Sequence, residues 1–589
     1  MQYRAICLTF VLAMAGLAVG CSGGGSASAD TGGSPPASQL PPGTDPGPIA
    51  RPGDDGQPVP TPTPTEQVAL FRIFERSITN DGNYANKFTD VTLNVRYTSP
   101  SGRRIDFIGF YDGDGNGGQN GNVWKFRFMP DEPGVWTYTY SWSDGTPGGE
   151  GAFMAVKEGA GRGILRAYRD NPRWFAYNGT EPVFLKSYHV GAAGFTGVPI
   201  DWAAKNVYAR LLARGYNHVM LKSLPIAWVN EKPLDAPADH LDRPLWSDTP
   251  LQQDLHVWKR FEQHMKWLNE RDIGVHFFIG FDPKGEGTPN AYFALQRWTQ
   301  LPSDEQEFYV RYVAARLAPF ANIAGWNYTW ETDGATGEQR LMALLDQYDP
   351  WDHLATYHDE YPASNSYDSP RYSFAGIENH GYFGNSGGRP ALDSASHYQA
   401  TIDAYRGKPV YMVEGNGLWR ACWAKDQANQ TVTRAAWAVT LAGGSFTWSD
   451  IGGCFDGPVS EMLNWPANDP VANRLDVLYD VMTKEVTFHR MVPRSNLLGG
   501  CPATFARNGA VPQSPCYALA DEGREYLVYK ENGGSFTLKL APGIYDAAWI
   551  DTRTGARQSL GAVQGSGAAL EFVAPSTATD WVLMLKRAS

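Results

Sequence analysis

Positive charge is scarce in this 589-residue chain. Its 50 Lys and Arg against 62 Asp and Glu leave a net charge of −12. No basic stripe is available to neutralise phosphates, which argues against nucleic-acid binding. Charged residues reach only 19%, a profile that excludes coiled-coil and highly charged disordered chains. Cysteine is rarer still, with six in all, and none has the C-x-x-C spacing of a zinc site. His-x-His, with which many metal-dependent barrel hydrolases open, is missing. Beyond the first twenty residues no run is long and apolar enough to span a bilayer. Aromatics, in contrast, are plentiful at 13%, with 20 Trp and 29 Tyr, and 42% of residues are hydrophobic. Their flat faces suit sugar rings, although most are expected to fill β-sandwich cores. The length corresponds to about four domains at ~150 residues each.

The N-terminus reads as an address. Arg4 precedes an apolar run from Ala5 to Val19, too short for a comfortable span and typical of a signal h-region. It ends Leu17-Ala18-Val19-Gly20-Cys21, which resembles a bacterial lipobox, so residues 1–20 are expected to be removed and Cys21 lipidated. Ser22 provides no acidic signal for inner-membrane retention, which favours the outer membrane of a Gram-negative cell. Residues 21–65 are Gly, Ser, Pro, Thr and Asp, with Pro35-Pro36, Pro41-Pro42 and the run Pro58 to Pro64. Such a segment buries no core and forms a semi-extended tether. Cys422, Cys454, Cys501 and Cys516 remain for an oxidising compartment. Four cysteines allow three pairings, and nearness in sequence favours Cys422–Cys454 and Cys501–Cys516.

Three folded bodies follow. In residues 66–158, Val91, Leu93, Val95 and Tyr97 alternate, as do Trp124, Phe126 and Phe128, and Trp136, Tyr138 and Tyr140. Period two between turn residues predicts an N-terminal β-sandwich. The run Asp112-Gly113-Asp114-Gly115-Asn116-Gly117 has the look of a calcium loop, but Val123 stands where an EF-hand needs Glu, so a plain turn is the expectation. Residues 163–492 alternate short apolar runs with amphipathic stretches. Eight strands are predicted, at 182–188, 216–223, 274–281, 323–330, 353–358, 373–379, 409–414 and 444–448. Leu255, Trp258, Phe261, Met265 and Leu268 form a helical stripe. Ser303 and Gln306 read as a capping box, with Pro319 ending that helix. Further helices are predicted at 393–405, 428–441 and 471–487. Strand then helix, eight times, predicts a (β/α)8 TIM barrel, weakest after the fifth strand. Residues 494–589 are strand-rich again, with Phe536, Leu538 and Leu540 alternating, a Thr554-Gly555 turn and a last strand at 581–586. A C-terminal β-sandwich is predicted there.

In such a barrel the chemistry lies at the C-terminal ends of the strands. Glu331 closes the fourth predicted strand and Glu414 the seventh. Two carboxyl groups across a barrel mouth are what glycoside cleavage needs. One protonates the leaving oxygen, and the other attacks the anomeric carbon or activates water. This arrangement resembles the clan-A glycoside hydrolases, which implies that Glu331 is the acid/base and Glu414 the nucleophile of a retaining enzyme. The clan usually has Asn immediately before the acid/base. Trp330 stands there in this chain, and Asn327 lies four residues before Glu331.

The domain order resembles a bacterial group with an N-terminal DUF5060-type domain, an apiosidase-like DUF4038-type barrel and a C-terminal collagen-binding-type domain. The resembling stretches run from Phe107 to Asp114, Arg127 to Trp136, Asn178 to Leu185 and Trp549 to Gly555. The resemblance implies a plant or algal cell-wall polysaccharide or oligosaccharide as substrate. The two-carboxylate mechanism needs no metal or cofactor, and the expected partners are the glycan and, through the lipid anchor, the membrane.

The remaining candidates flank the strand ends. Trp448 could floor a sugar subsite. His380 and Tyr382 follow the sixth strand, and His189 and Lys222 follow the first and second. With Asn327 and Trp330 they form the expected substrate-binding set. Asp282, Glu360, Glu378 and Asp450 lie near strand ends too, and Glu378, in Glu378-Asn379-His380-Gly381-Tyr382, is the chief rival carboxylate. A non-catalytic glycan-binding lipoprotein is the alternative reading.

Overall fold

A computed structural model describes residues 62–64, 66–190, 198–221, 239, 241, 245–246, 249–279, 301–328, 338–356, 358–359, 372–378, 408–414, 425–449, 469–501 and 516–588. The predicted signal, the lipidation site and the tether up to residue 61 lie outside them. So do Cys422, Cys454 and the helix expected at 393–405.

The first body is a two-sheet β-sandwich. One sheet orders its strands as Gln67–Ala69, Gly149–Val156, Gly134–Trp142, Leu93–Thr98 and Arg104–Ile108. The other orders them as Phe74–Thr79, Val123–Phe128 and Phe110–Tyr111. Alternation decides which face is inside. Leu93, Val95 and Tyr97 are buried while Asn94 and Arg96 between them are exposed. The two inner faces meet through aromatic rings: Phe74 stacks on Phe153 at 4.2 Å, and Tyr97 on Phe128 at 4.1 Å. Burying each such ring stabilises the sandwich by roughly 1.5–3 kcal/mol. In the 112–117 loop, Asp112 is taken up by ion pairs with Lys125 at 2.7 Å and Arg316 at 2.8 Å. Asp114 accepts from the backbone N–H groups of Asn116 and Gly118, as expected of a turn.

The central body is an eight-stranded parallel barrel. Its strands are Ser187–His189, His218–Leu221, Gly274–Phe278, Ile323–Asn327, the fifth in two pieces at Ala355–Thr356 and His358–Asp359, then Ala375–Glu378, Val410–Glu414 and Ser445–Ser449. Each lies within one of the eight predicted runs or extends it by a residue. Strand one pairs with strand eight, Tyr188 opposite Trp448. The fifth strand pairs with the fourth through its first piece and with the sixth through its second. Thr356 Oγ1 reinforces that second seam, accepting from Gly376 N and donating to Phe374 O, both at 2.9 Å.

Two sequence expectations need correction. The run 182–188 is not one strand. Glu181–Val183 closes a small antiparallel sheet with Phe175–Tyr177 and Leu165–Ala167, and barrel strand one begins only at Ser187. That sheet plugs the barrel floor, packing Leu165, Phe175, Tyr177 and Val183 against Ala324, Leu354, Phe374 and Tyr411. The capping box at Ser303 also fails. Pro302 holds the N-cap position of the helix Ser303–Leu317 without a side-chain cap, and Gln306 accepts from Arg340 Nε at 2.6 Å instead. By contrast, Asp254 caps the helix Leu255–Asn269, accepting from the N–H groups of His256 and Val257.

The third body is a second sandwich. Its six-stranded sheet includes Cys516–Asp521, Glu525–Lys530, Gly543–Asp551 and Trp581–Arg587. Its three-stranded sheet includes Ser535–Lys539 and Ala569–Val573. Phe536 reaches across to meet Trp549 edge-on at 6.0 Å. Cys501 and Cys516 are disulfide-bonded. The sandwich docks on the helix Lys425–Leu441, where Arg434 pairs with Asp580 at 2.9 Å and Trp437 stacks on Tyr529.

The first sandwich is joined to the barrel by a buried ion cluster. Arg127, on an inner sandwich strand, forms a two-pronged pair with Glu262 at 2.7 and 2.8 Å and a third bond to Glu75 at 2.6 Å. Glu262, on the helix Leu255–Asn269, also accepts from Arg316 Nε at 2.6 Å, and Arg316 reaches Asp112. Burial alone would raise the Glu262 carboxyl, but Arg127 and Arg316 outweigh it and hold that group far below the usual carboxylate range. Glu75 is held at about 2 by the same contest, burial against Arg127, Lys266 and Lys125.

Removing one partner strands a buried charge, so Glu262→Gln is expected to lower the unfolding free energy in urea by about 3–5 kcal/mol. A loss below about 1 kcal/mol, the value of an exposed pair, would contradict the cluster's role. These carboxyls are depressed in the folded state. Their contribution is therefore complete above the unfolded glutamate pKa of about 4.3 and is lost as pH falls through the folded values. The same variant should show a shallower loss of stability in that acid range.

Candidate active site

The barrel lumen carries a polar layer above its apolar floor. Ser187 of strand one accepts or donates to His218 Nδ1 of strand two at 2.8 Å and to the Tyr411 hydroxyl of strand seven at 2.7 Å. Thr447 of strand eight donates to Ser187 at 3.2 Å. On the other side Asn327 Nδ2 donates to His276 Nε2 at 3.3 Å, linking strands four and three. The rings of His276 and Tyr411 lie 5.3 Å apart. Gly325 makes room for this layer, because a Cβ there would come within 2.9 Å of His276 Nδ1 and 2.8 Å of the Phe374 ring. Burial pushes His218 down to about 3 and raises the Tyr411 hydroxyl. His218 is thus neutral and Tyr411 protonated at neutral pH.

The expected site residues distribute as follows. Asn327 ends strand four, fully buried on the lumen face, and among the described residues its Oδ1 has no hydrogen-bond partner. Glu331 lies four positions further on, with Trp330, outside the described residues. Glu414 is the last residue of strand seven and stands opposite Glu378, the last residue of strand six. The pairing there skips a residue: Ile377 faces Met412, and Glu378 then faces Glu414 rather than Val413. Such bulges re-aim the chain and recur beside active sites. The two carboxylate-bearing residues therefore share one rung at the C-terminal end of the barrel.

His189 ends strand one, buried, two residues beyond Ser187 and in register with Met220 and Ser449. Trp448 precedes the end of strand eight. It is fully buried, and its ring meets Tyr188 edge-on at 5.6 Å. It alternates with Thr447, whose hydroxyl faces the lumen, so in this conformation the indole belongs to the layer between strands and helices. Lys222, His380, Tyr382, Asp282, Glu360 and Asp450 lie outside the described residues.

Ser187, His218, His276, Tyr411 and Thr447 went unnoticed in the sequence. Each occupies an alternate position of an apolar run, and that alternation was the one signal available.

Two family models match parts of the chain. Residues 67–143 match "Domain of unknown function (DUF5060)". Residues 508–586 match "Putative collagen-binding domain of a collagenase". No curated protein matches. Among solved structures, a protein described as a "putative glycoside hydrolase" from Bacteroides vulgatus ATCC 8482 aligns over 89% of this chain and 100% of its own, at 18% identity and TM-score 0.64. A glycoside hydrolase family 5 protein from the same organism aligns over 72% of this chain and 93% of its own, at 16% identity and TM-score 0.55. A third, described as "Glycoside hydrolase", covers 72% of this chain and 97% of its own at 16% identity and TM-score 0.53. At these identities the likeness is one of fold. It takes in 89% of this chain in the first of them.

His218 is held neutral in the fold and titrates near 6.5 once unfolded. Its depressed pKa means that stability is complete above that value and declines as pH falls toward the folded one. Replacing it by Asn should narrow the stability difference from wild type by about 1 kcal/mol per pH unit between roughly pH 6.5 and 4.5, as read by urea denaturation. A pH-independent difference would show that the histidine is not kept neutral.

Proposed function

We propose that the chain is a retaining glycoside hydrolase, exported and lipid-anchored through Cys21, that cuts a plant or algal cell-wall polysaccharide or oligosaccharide. The observation that carries this reading is Glu414 as the last residue of barrel strand seven, on a bulge; in the sequence Glu331 follows the last residue of strand four by four positions. The shared architecture of the solved glycoside hydrolases supports it.

In this mechanism Glu414 is ionised and attacks the anomeric carbon. The glycosidic C–O bond breaks as Glu331 delivers its proton to the leaving oxygen. Glu331 then takes a proton from water, which displaces Glu414 and releases the sugar with its original configuration. Asn327, whose Oδ1 has no hydrogen-bond partner among the described residues, His189, Trp330, Lys222, His380 and Tyr382 form the set that binds hydroxyls or stacks on rings. The outer membrane is the proposed location, with residues 21–65 holding the folded bodies off its surface.

A second reading, a glycan-binding lipoprotein without catalysis, draws on Trp330 in the place where the clan usually has Asn.

The test is a product screen of the mature protein on plant, algal and microbial polysaccharides and aryl glycosides, beside Glu414→Gln. New reducing ends from the wild type, reduced by more than about a thousandfold in the variant, are expected of a lost nucleophile. Substantial turnover by Glu414→Gln would remove that residue from the mechanism. Binding without cleavage by the wild type would favour the second reading.

A further inference from the structure

A cleft away from the barrel mouth is open to a ligand. Its volume is about 520 Å3, and it separates the outer face of the first sandwich from the end of the barrel helix Glu338–Tyr348. The size is that of a ligand site. Helices of a (β/α)8 barrel run back against their strands, so the C-terminal end of this helix, at Tyr348, marks the end of the barrel opposite the mouth.

The sandwich wall is a sheet face read in rows. Ser141, Asn94 and Ile108 are register partners across three strands, and Thr139, Arg96 and Asp106 form the next row. Strand spacing makes each row about 10 Å wide, and the rows are about 7 Å apart. All but Ile108 end in hydrogen-bonding groups, and Asn94, Arg96, Asp106, Thr139 and Ser141 are exposed. Arg96 and Asp106 are locked together through two bonds of 2.6 and 3.1 Å, which balances their charges. The facing wall presents Tyr348, half-buried, with its hydroxyl tied to Glu307 at 2.5 Å, which fixes the ring.

A flat array of donors and acceptors with no net charge, opposite one oriented aromatic ring, matches the vicinal hydroxyls and apolar faces of a saccharide. A phosphate or polyanion would want unpaired cations, and a hydrophobic peptide would want an apolar wall. We propose that this cleft is a second glycan-binding site, taking a stretch of a neutral polysaccharide while the barrel mouth acts elsewhere on the same material. Holding the matrix here would raise the local concentration of cleavable chain at the mouth. The inference builds on the glycosidase reading, but its site shares no residue with the barrel lumen.

The experiment is affinity electrophoresis of the mature protein in native gels cast with xyloglucan, arabinoxylan, galactan or alginate. Glu414→Gln serves as the parent so that the matrix survives. Two further variants are made in that background. Thr139→Trp fills the cleft from an exposed strand position that tolerates an aromatic residue. Arg96→Ala with Asp106→Ala removes an exposed pair of little weight for folding. Retardation of the parent by a neutral polysaccharide, weakened about tenfold or more in both variants, is expected from losing charged hydrogen bonds or the cleft itself. Equal retardation of parent and variants, retardation by alginate alone, or none in any gel would overturn the proposal. Reducing ends released by the wild type from the same polysaccharides judge the glycosidase reading separately.

Discussion

The contact on which the rest of the molecule depends is the buried pair between Arg127 and Glu262. It joins a sandwich strand to a barrel helix with no solvent between them. Two arginines converge on one carboxylate there, and their guanidinium groups also lie over the Phe110 ring at 4.9 and 4.4 Å. A buried ion pair is weak as a source of net stability, because desolvation consumes most of its attraction. Its leverage is geometric. The sandwich and the barrel can meet only where both arginines find their acids.

That constraint reaches the candidate site through the helix Ser303–Leu317. Arg316 is its penultimate residue, and strand four begins at Ile323. From outside, Trp326 donates to Asp349 at 2.9 Å. From inside, Asn327 meets His276. Strand four is thus held at both faces just before the chain runs on to Glu331. On the far side of the lumen, Tyr411 is bound to Ser187 three residues before Glu414. The polar layer fixes strand seven against strands one and two, and the bulge beyond it sets the register of Glu414 with Glu378. The sandwich is part of the scaffold that positions the barrel, whatever its outer face binds.

Much of this was legible in the sequence, for identifiable reasons. Where one face of a strand is buried and the other wet, alternation marks it, as at Leu93, Val95 and Tyr97. Barrel strands are buried on both faces and show as short apolar runs, which placed strands two to eight. The run at 182–188 misled because Pro182, Val183, Phe184 and Leu185 are apolar whether they line a floor sheet or a barrel strand. The Ser303 capping box failed because Pro302 takes the N-cap position. Cys501 and Cys516 are close enough in sequence to be paired on sight, whereas the ion cluster joins residues 135 and 189 positions apart and leaves no local trace. His218 and His276 were invisible for a different reason: each sits inside an apolar run with no spacing to a partner.

The most direct test of the account is to trap the covalent intermediate. Glu331→Ala should still be glycosylated by an activated aryl glycoside of whichever sugar the product screen identifies, since a good leaving group needs no acid. Without its base the variant should then hydrolyse the adduct slowly. Mass spectrometry of the digested protein is predicted to place the sugar on the peptide carrying Glu414. An adduct on the peptide carrying Glu378, or release of product with inverted configuration and no adduct, would contradict the account.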